Sequence, residues 1–360
     1  MPTDSDLFDA LSDVVDPDLR RSIGELGMLR EVTVGDSRLV TVGISVPNAN
    51  WDAEPLGRAI AGAAKARDGV DEVQVDVAIL DEEAQHALAS RLKDETAIGG
   101  AGSRTRVIAV SSGKGGVGKS SVTTNTAVAL ARSGHDVAVI DADVWGFSIP
   151  RMLGIVSPPQ AVADLIVPPK AHGVRAISMD FFVPVDQAVV WRGPMLHKAL
   201  EQFLNDVYWD EPDFLLIDMP PGTGDVAISI SQFLPRAQTI VVTTPQPTAQ
   251  RVAKRAAAMA AKVNQEVLGV VENMSWFTGD DGKRYEIFGA GGGTSLADEL
   301  EVPLLGRVPL LPAMREGADR GVPVAVAAEG SEAAGAFDEI ARRIVDLRPR
   351  VRTHPELIIR

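Results

Sequence analysis

The sequence predicts an α/β protein with a mostly parallel sheet flanked by helices, preceded by a small α+β domain. Three observations carry this. Apolar strands alternate with helical stretches from Arg106 onward. The first of those strands runs directly into a glycine-rich loop of phosphate-cradling pattern. Ahead of them, residues 5–85 show amphipathic alternation mixed with helical spacing.

The first block opens with Leu7, Leu11, Val14 and Val15 at helical spacing. Leu29–Val34 and Leu39–Val46 then alternate as half-buried strands, a helical stretch covers Pro55–Ala66, and Val73–Ile79 alternates again. Glu82–Leu92 is helical in pattern, and Gly99-Gly100-Ala101-Gly102-Ser103 has the composition of a flexible linker. The expected organisation is a small domain over 1–95, a linker over 96–105, a larger domain over 106–349 and a tail over 350–360. In the larger domain Val107–Val110, Val137–Ile140, Phe214–Ile217, Ile240–Thr243 and Leu268–Val271 read as buried strands of a parallel sheet. Functional groups of such a sheet collect at the carboxyl ends of its strands.

Gly113-Lys114-Gly115-Gly116-Val117-Gly118-Lys119-Ser120 matches G-x-x-x-x-G-K-[ST]. The glycines let backbone N–H groups turn onto phosphate oxygens, Lys119 reaches the terminal phosphates, and the Ser120 hydroxyl is placed for Mg²⁺. A helix follows, because Ser121–Ala131 lacks Gly and Pro and is rich in Ala. The expected nucleotide contacts are Gly113, Lys114, Gly115, Gly116, Val117, Gly118, Lys119, Ser120 and Ser121.

Other strand ends carry further chemistry. Val139-Ile140 terminates in Asp141 and Asp143, two acids spaced to point the same way, which suit Mg²⁺ organisation and, at Asp143, orientation of an attacking water. Leu215-Leu216-Ile217 ends in Asp218, placed to bind Mg²⁺ through water, and Pro220-Pro221-Gly222 would shape a switch loop near the γ-phosphate. At the end of Leu268–Val271, Asn273 is a candidate reader of the adenine edge or the cap of a turn.

Composition narrows the class. At 360 residues and 45% hydrophobic the chain buries a sizeable core, and no apolar run approaches the ~20 residues of a membrane span. The acidic start Met1-Pro2-Thr3-Asp4-Ser5-Asp6 does not read as a secretory signal, and with no cysteine a cytoplasmic protein is the simplest expectation. A net charge of -14 argues against a nucleic-acid footprint. The excess is uneven, since residues 1–100 hold 20 acids and 9 bases; such a face is either solvated or turned to a basic partner.

Lys114, the second lysine of the loop, makes K-G-G-V-G-K-S resemble the deviant Walker A loop of the MinD/ParA/nitrogenase-iron-protein class of P-loop NTPases. That resemblance implies an ATP-sandwich homodimer in which Lys114 crosses to the partner's nucleotide and joins Lys119 and Asp143 in catalysis. More specifically, Asp143–Gly154 resembles the D-x-x-G-P-S-I-P-x-x-L-G signature of the Mrp/ApbC family. Trp191-Arg192-Gly193-Pro194-Met195, Asp218–Asp225, Glu272–Ser275, Ile287-Phe288-Gly289, Arg307-Val308-Pro309 and Gly321-Val322-Pro323 resemble further motifs of that family. The likeness implies Pro309 and Asn273 on the nucleotide side, Mg²⁺ at Ser120, Asp141 and Asp218, and slow, dimer-dependent ATP hydrolysis. It also implies carriage of iron–sulfur clusters to apoproteins, with assembly factors as partners. Val15-Asp16-Pro17-Asp18 and Leu26-Gly27-Met28 make the first block similar to the small domain of metal–sulfur cluster assembly factors.

The chain departs from that pattern where the family commonly places C-x-x-C. Trp276–Glu286 has no cysteine, and Asp280-Asp281-Gly282 reads as a tight turn joining two strands. The thiol that many fused small domains carry near Pro47–Trp51 is missing too, and Phe147 stands where proline is usual. The histidines His86, His135, His172, His197 and His354 show no ligand spacing. Besides a cluster-carrying ATPase, two expectations therefore stand: a nucleotide-gated assembly scaffold without cargo, and a ParA/MinD-like positioning ATPase.

Overall fold

The computed structural model describes residues 2–35, 38–93, 98–99, 102–144, 146–182, 193–222, 224–263, 265–327 and 330–347. Trp145, Trp191, Arg192, Thr223, parts of the expected linker and the tail 350–360 lie outside these residues.

In chain order the elements are α1 (Asp4–Ser12), α2 (Ile23–Leu26), β1 (Leu29–Val34), β2 (Leu39–Val46), α3 (Glu54–Lys65), β3 (Glu72–Ile79) and α4 (Glu82–Lys93). Next come β4 (Arg106–Ser112), α5 (Lys119–Arg132), β5 (Val137–Asp141), α6 (Ile149–Met152), β6 (Gln160–Val162), β7 (Leu165–Val167), β8 (Lys170–Ala171) and β9 (Val174–Ser178). The remainder holds α7 (Gly193–Asn205), β10 (Phe214–Asp218), α8 (Asp225–Phe233), β11 (Gln238–Thr243), α9 (Pro247–Lys262), β12 (Glu266–Glu272), β13 (Phe277–Thr278) and β14 (Arg284–Tyr285). It closes with α10 (Gly292–Leu300), β15 (Leu304–Arg307), α11 (Pro312–Arg320), α12 (Val324–Ala327) and α13 (Glu332–Asp346).

The chain divides into two compact units. The first comprises Met1–Ser103, Ser157–Lys170 and Glu201–Glu211, and the second Arg104–Val156, Ala171–Leu200 and Pro212–Arg360. In the first, β2 pairs antiparallel with β1 and parallel with β3. Its core joins Leu7, Leu11, Leu19, Ile23, Leu56, Ile60, Leu88 and Leu92 with Val162, Leu165, Val167 and Tyr208 from the later segments. The Tyr208 hydroxyl donates to the Leu19 carbonyl at 2.9 Å. Helix α1 starts on a reciprocal Thr3–Asp6 capping box but stops at Ser12, short of the expected Val14 and Val15. Val15 instead pairs with Ser22 and is 52% exposed. The reason is the turn that follows: Asp16 Oδ1 accepts the amides of Asp18 and Leu19, and Pro17 has no N–H for a helix.

The second unit is built on a sheet of strand order β15-β12-β11-β4-β10-β5-β9-β8, parallel from β15 through β9. Its central strands are apolar at consecutive positions because both faces are covered. Ile240, Val242 and Val271 join the cluster formed with α5 and α13, whereas Val241 and Val270 join the one formed with α9 and α10. That alternation brings the carboxyl ends of β4, β5, β10, β11 and β12 to one edge, where the candidate residues lie.

Candidate functional site

Strand β4 delivers the loop 113–118, and α5 begins at Lys119. Two glycines there are demanded by geometry. A Cβ on Gly113 would stand 2.1 Å from the Val252 backbone of α9. Gly118, which caps α5 at φ 80°, would bring a Cβ to 2.2 Å from Asn273 Nδ2. Lys114, Gly115, Gly116, Gly118, Lys119, Ser120, Ser121 and Asp143 line one cavity of about 190 Å³ with Ser112, Ser148, Met152 and Pro221. Gly113 and Val117 do not line it; Val117 is buried in the core beneath. The Gly222 amide donates to the Ser112 carbonyl at 2.9 Å, so the expected switch loop is tied to the end of β4.

Asp218 is fully buried below the cavity. Its Oδ2 accepts from Lys119 Nζ and Ser120 Oγ, each at 2.6 Å, and its Oδ1 from Thr123 Oγ1 at 2.7 Å. The Lys119 ammonium also lies 3.6 Å from Asp143, whose Oδ1 is buried and, among the described residues, has no hydrogen-bond partner. Asp141 is turned to the loop after β5. Its Oδ2 takes the amides of Ser148 and Ile149 and the Ser178 hydroxyl, and its Oδ1 takes the Asp143 amide at 3.3 Å. Burial, followed by repulsion from Asp218, pushes the Asp141 carboxyl up to about 7 against those amide bonds. Two carboxylates, Asp218 and Asp143, thus lie within 3.6 Å of one ammonium, with Asp141 buried behind them, an arrangement suited to an added cation. Among the described residues no group of three His, Cys, Asp or Glu forms a metal cage. The set fits a hard cation that arrives with phosphate oxygens, as Mg²⁺ does.

Lys114 is exposed, and among the described residues its ammonium makes no hydrogen bond or ion pair, although Ser112 Oγ donates to its carbonyl at 3.1 Å. Asn273, at the end of β12, donates from Nδ2 to the Val117 carbonyl at 2.9 Å, leaving a buried Oδ1 acceptor without a partner among the described residues. Pro309 is buried in the segment after β15, whose Val308 exchanges backbone bonds with Glu272 and Ser275. It does not line the cavity.

Beyond Asn273 the chain forms the antiparallel hairpin β13–β14, closed by the Gly279–Lys283 bond, with Gly282 at φ 73°. The expected turn at Asp280-Asp281-Gly282 is therefore present. The Trp276 ring lies under the guanidinium of Arg284 at 4.4 Å and that of Arg307 at 5.3 Å. Glu332 collects Trp276 Nε1, Thr278 Oγ1 and Arg284. Burial opposes its ionisation, but those bonds outweigh burial and hold its carboxyl below the usual range.

Sequence reasoning missed Thr123, Ser148 and Ser178. Thr123 stands one helical turn after Lys119 and shares its face, which was a usable signal. Ser178 reaches Asp141 from a strand that no motif marked.

Residues 103–345 match the family model described as NUBPL iron-transfer P-loop NTPase, and residues 4–77 match that of iron-sulfur cluster assembly proteins. The chain is 45% identical over 338 residues to the iron-sulfur cluster carrier protein of Mycobacterium tuberculosis, covering 89% of this chain and 88% of that one. It is 40% identical over 355 residues to the iron-sulfur cluster carrier protein of Synechocystis, covering 96% and 97%. Among solved structures it resembles a nucleotide-binding protein from Archaeoglobus fulgidus in complex with ADP, with TM-score 0.55, 32% identity and 65% and 91% of the two chains covered. The cell division ATPase MinD of Pyrococcus furiosus follows with TM-score 0.52, 26% identity and coverage of 68% and 99%.

Proposed function

The chain belongs to the family of NUBPL-type iron-transfer P-loop NTPases, and from that premise we propose that it is an ATP-hydrolysing homodimer serving iron–sulfur cluster transfer to apoproteins. One observation carries the nucleotide half of this reading. The cavity brings Lys119, Ser120 and Asp143 over Asp218, with an outward lysine, Lys114, at its rim. In this reading the loop amides and Lys119 take the phosphates, and Ser120 with Asp218 holds Mg²⁺. Bound there, Mg²⁺ would neutralise charge developing on the transferred phosphoryl group. Asp143, whose buried Oδ1 has no partner among the described residues, orients the attacking water. Asp141 acts through the loop that it holds. The unpartnered Asn273 Oδ1 suits the exocyclic amine of adenine, which supports ATP as the nucleotide. Pro309 is assigned to the nucleotide side through its neighbour Val308, whose backbone bonds to Glu272 and Ser275 flank Asn273.

Lys114 completes the site of a second copy, as an arginine finger does. A cytoplasmic location accords with these assignments; no described helix is long and apolar enough to cross a membrane. The domain limits that we propose remain 1–95, 96–105 and 106–349, with the segments 157–170 and 201–211 contributing to the first unit's core.

The test compares two lysine variants by calorimetry and phosphate release. Lys119→Ala should weaken ATP binding by about 2–5 kcal/mol, because it removes one partner of a buried charged pair. Lys114→Ala should keep wild-type affinity and lose on the order of 10³-fold in turnover. Wild-type turnover in Lys114→Ala would refute the shared site.

A further inference from the structure

The relatives are named for carrying a cargo that this chain lacks the donors to hold. Iron–sulfur clusters are bound by cysteine thiolates, with histidine replacing some of them in one class. Soft thiolates win there because oxygen donors suit hard ions. None of the 360 residues is cysteine, so pairing two copies adds no thiolate.

Among the described residues the histidines do not compensate; His354 lies outside them. His135 stacks on Phe214 at 5.2 Å, His172 bonds the Gly321 carbonyl at 3.0 Å, and His197 bonds Ser229 at 2.9 Å while packing on Phe233. His86 is exposed on α4, in the other unit. Among the described residues no three His, Asp or Glu form a candidate metal group. The hairpin after Asn273 offers hard oxygens rather than thiolates, and those of Asp281 and of its anchor Glu332 are already engaged. Asp281 accepts from Tyr285 and the Lys283 amide, and Glu332 from Trp276, Thr278 and Arg284.

Resting on the reading above, we infer that this chain never ligates the cluster. Every iron ligand comes from a second, cysteine-bearing protein, and this chain handles the cluster as protein-bound cargo under ATP control. Transfer is then thiolate exchange between donor and acceptor. One iron–thiolate bond forms as another breaks, the incoming thiol releases its proton to solvent, the departing thiolate takes one up, and no electron changes hands.

The experiment uses the full chain. It is incubated anaerobically with ferrous iron, sulfide and reductant, with and without Mg-ATP, then desalted and assayed for iron, acid-labile sulfide, visible absorption and phosphate release. Iron and sulfide at the level of a buffer blank are expected in both conditions. A stoichiometric chromophore that survives desalting would overturn the inference. In a second arm the chain is mixed with a cluster-loaded scaffold protein whose ligands are cysteines, and the two are separated by size. All iron should remain with the scaffold, and iron eluting on this chain alone would again overturn the inference. Phosphate release in the same sample keeps the two readings apart: its absence counts against the ATPase and leaves the ligand result intact.

Discussion

Asp141 is the residue at which electrostatics and architecture meet. Buried beside Asp218, it holds the amides of the loop that carries Asp143, and its carboxyl titrates near 7 instead of 3.8. A raised folded-state value means that the folded protein binds this proton more tightly than the unfolded chain. The associated stability is therefore complete below about pH 4 and disappears as pH rises through 7. Asp141→Asn should flatten that part of the profile. Thermal melts of the nucleotide-free protein between pH 5 and 8 should show a falling midpoint in wild type and a smaller fall in the variant. Equal slopes would place the titrating group elsewhere. Asp141, Asp143, Asp218, Lys119 and Ser120 were legible as strand-end and loop residues, because motif spacing reports them. The partnership with Thr123 left only the signal of a shared helix face, and that with Ser178 left none, because its hydroxyl reaches the site from a strand that reads as core.

At the scale of elements, the hairpin β13–β14 has only two residues in each strand, too few to stand alone. It depends on Glu332, at the start of α13, and on the Arg284–Trp276–Arg307 stack. Glu332→Ala should cost about 1–2 kcal/mol, a figure lowered for partial exposure, and should leave ATP affinity unchanged. Urea unfolding with parallel nucleotide titration checks both halves. A stability equal to wild type would show that the knot is ornamental. The turn itself was readable from Asp280-Asp281-Gly282, whereas its anchor Glu332 lies 48–56 residues beyond the groups it holds and left no local trace. The same limit explains α1: helical spacing extends through Val15, but the Asp16-Pro17 turn ends the helix at Ser12.

For the whole molecule, two consequences follow from how the chain is partitioned. Val162, Leu165, Val167 and Tyr208 are buried in the first unit's core although they lie far beyond residue 103. A fragment of residues 1–103 would expose the apolar surface that they cover, at about 1.5–3 kcal/mol per large side chain. Circular dichroism during urea unfolding should show it much less stable than the same segment in the full chain. A fragment of full stability would mean that the later segments are dispensable. The second consequence concerns assembly. If Lys114 completes a neighbour's site, specific ATPase activity should rise with protein concentration, and ATP should increase the mass measured by light scattering. Activity independent of concentration would argue for a self-sufficient monomer.

Taken alone, the sequence determined the α/β class, the phosphate loop, the acids at strand ends and the absence of any thiol. Each of these is written in local pattern or composition, where a period of two, a G-K-S spacing or a missing residue type needs no partner to be read. Only the tertiary structure decided that Asp218 serves Lys119, Ser120 and Thr123 at once, that Asp141 holds a loop, that Glu332 anchors the hairpin, and that two later segments complete the first core. Those are long-range pairings. They depend on which side chains burial brings together, and hydrogen-bonding groups removed from water take whatever partner the fold supplies.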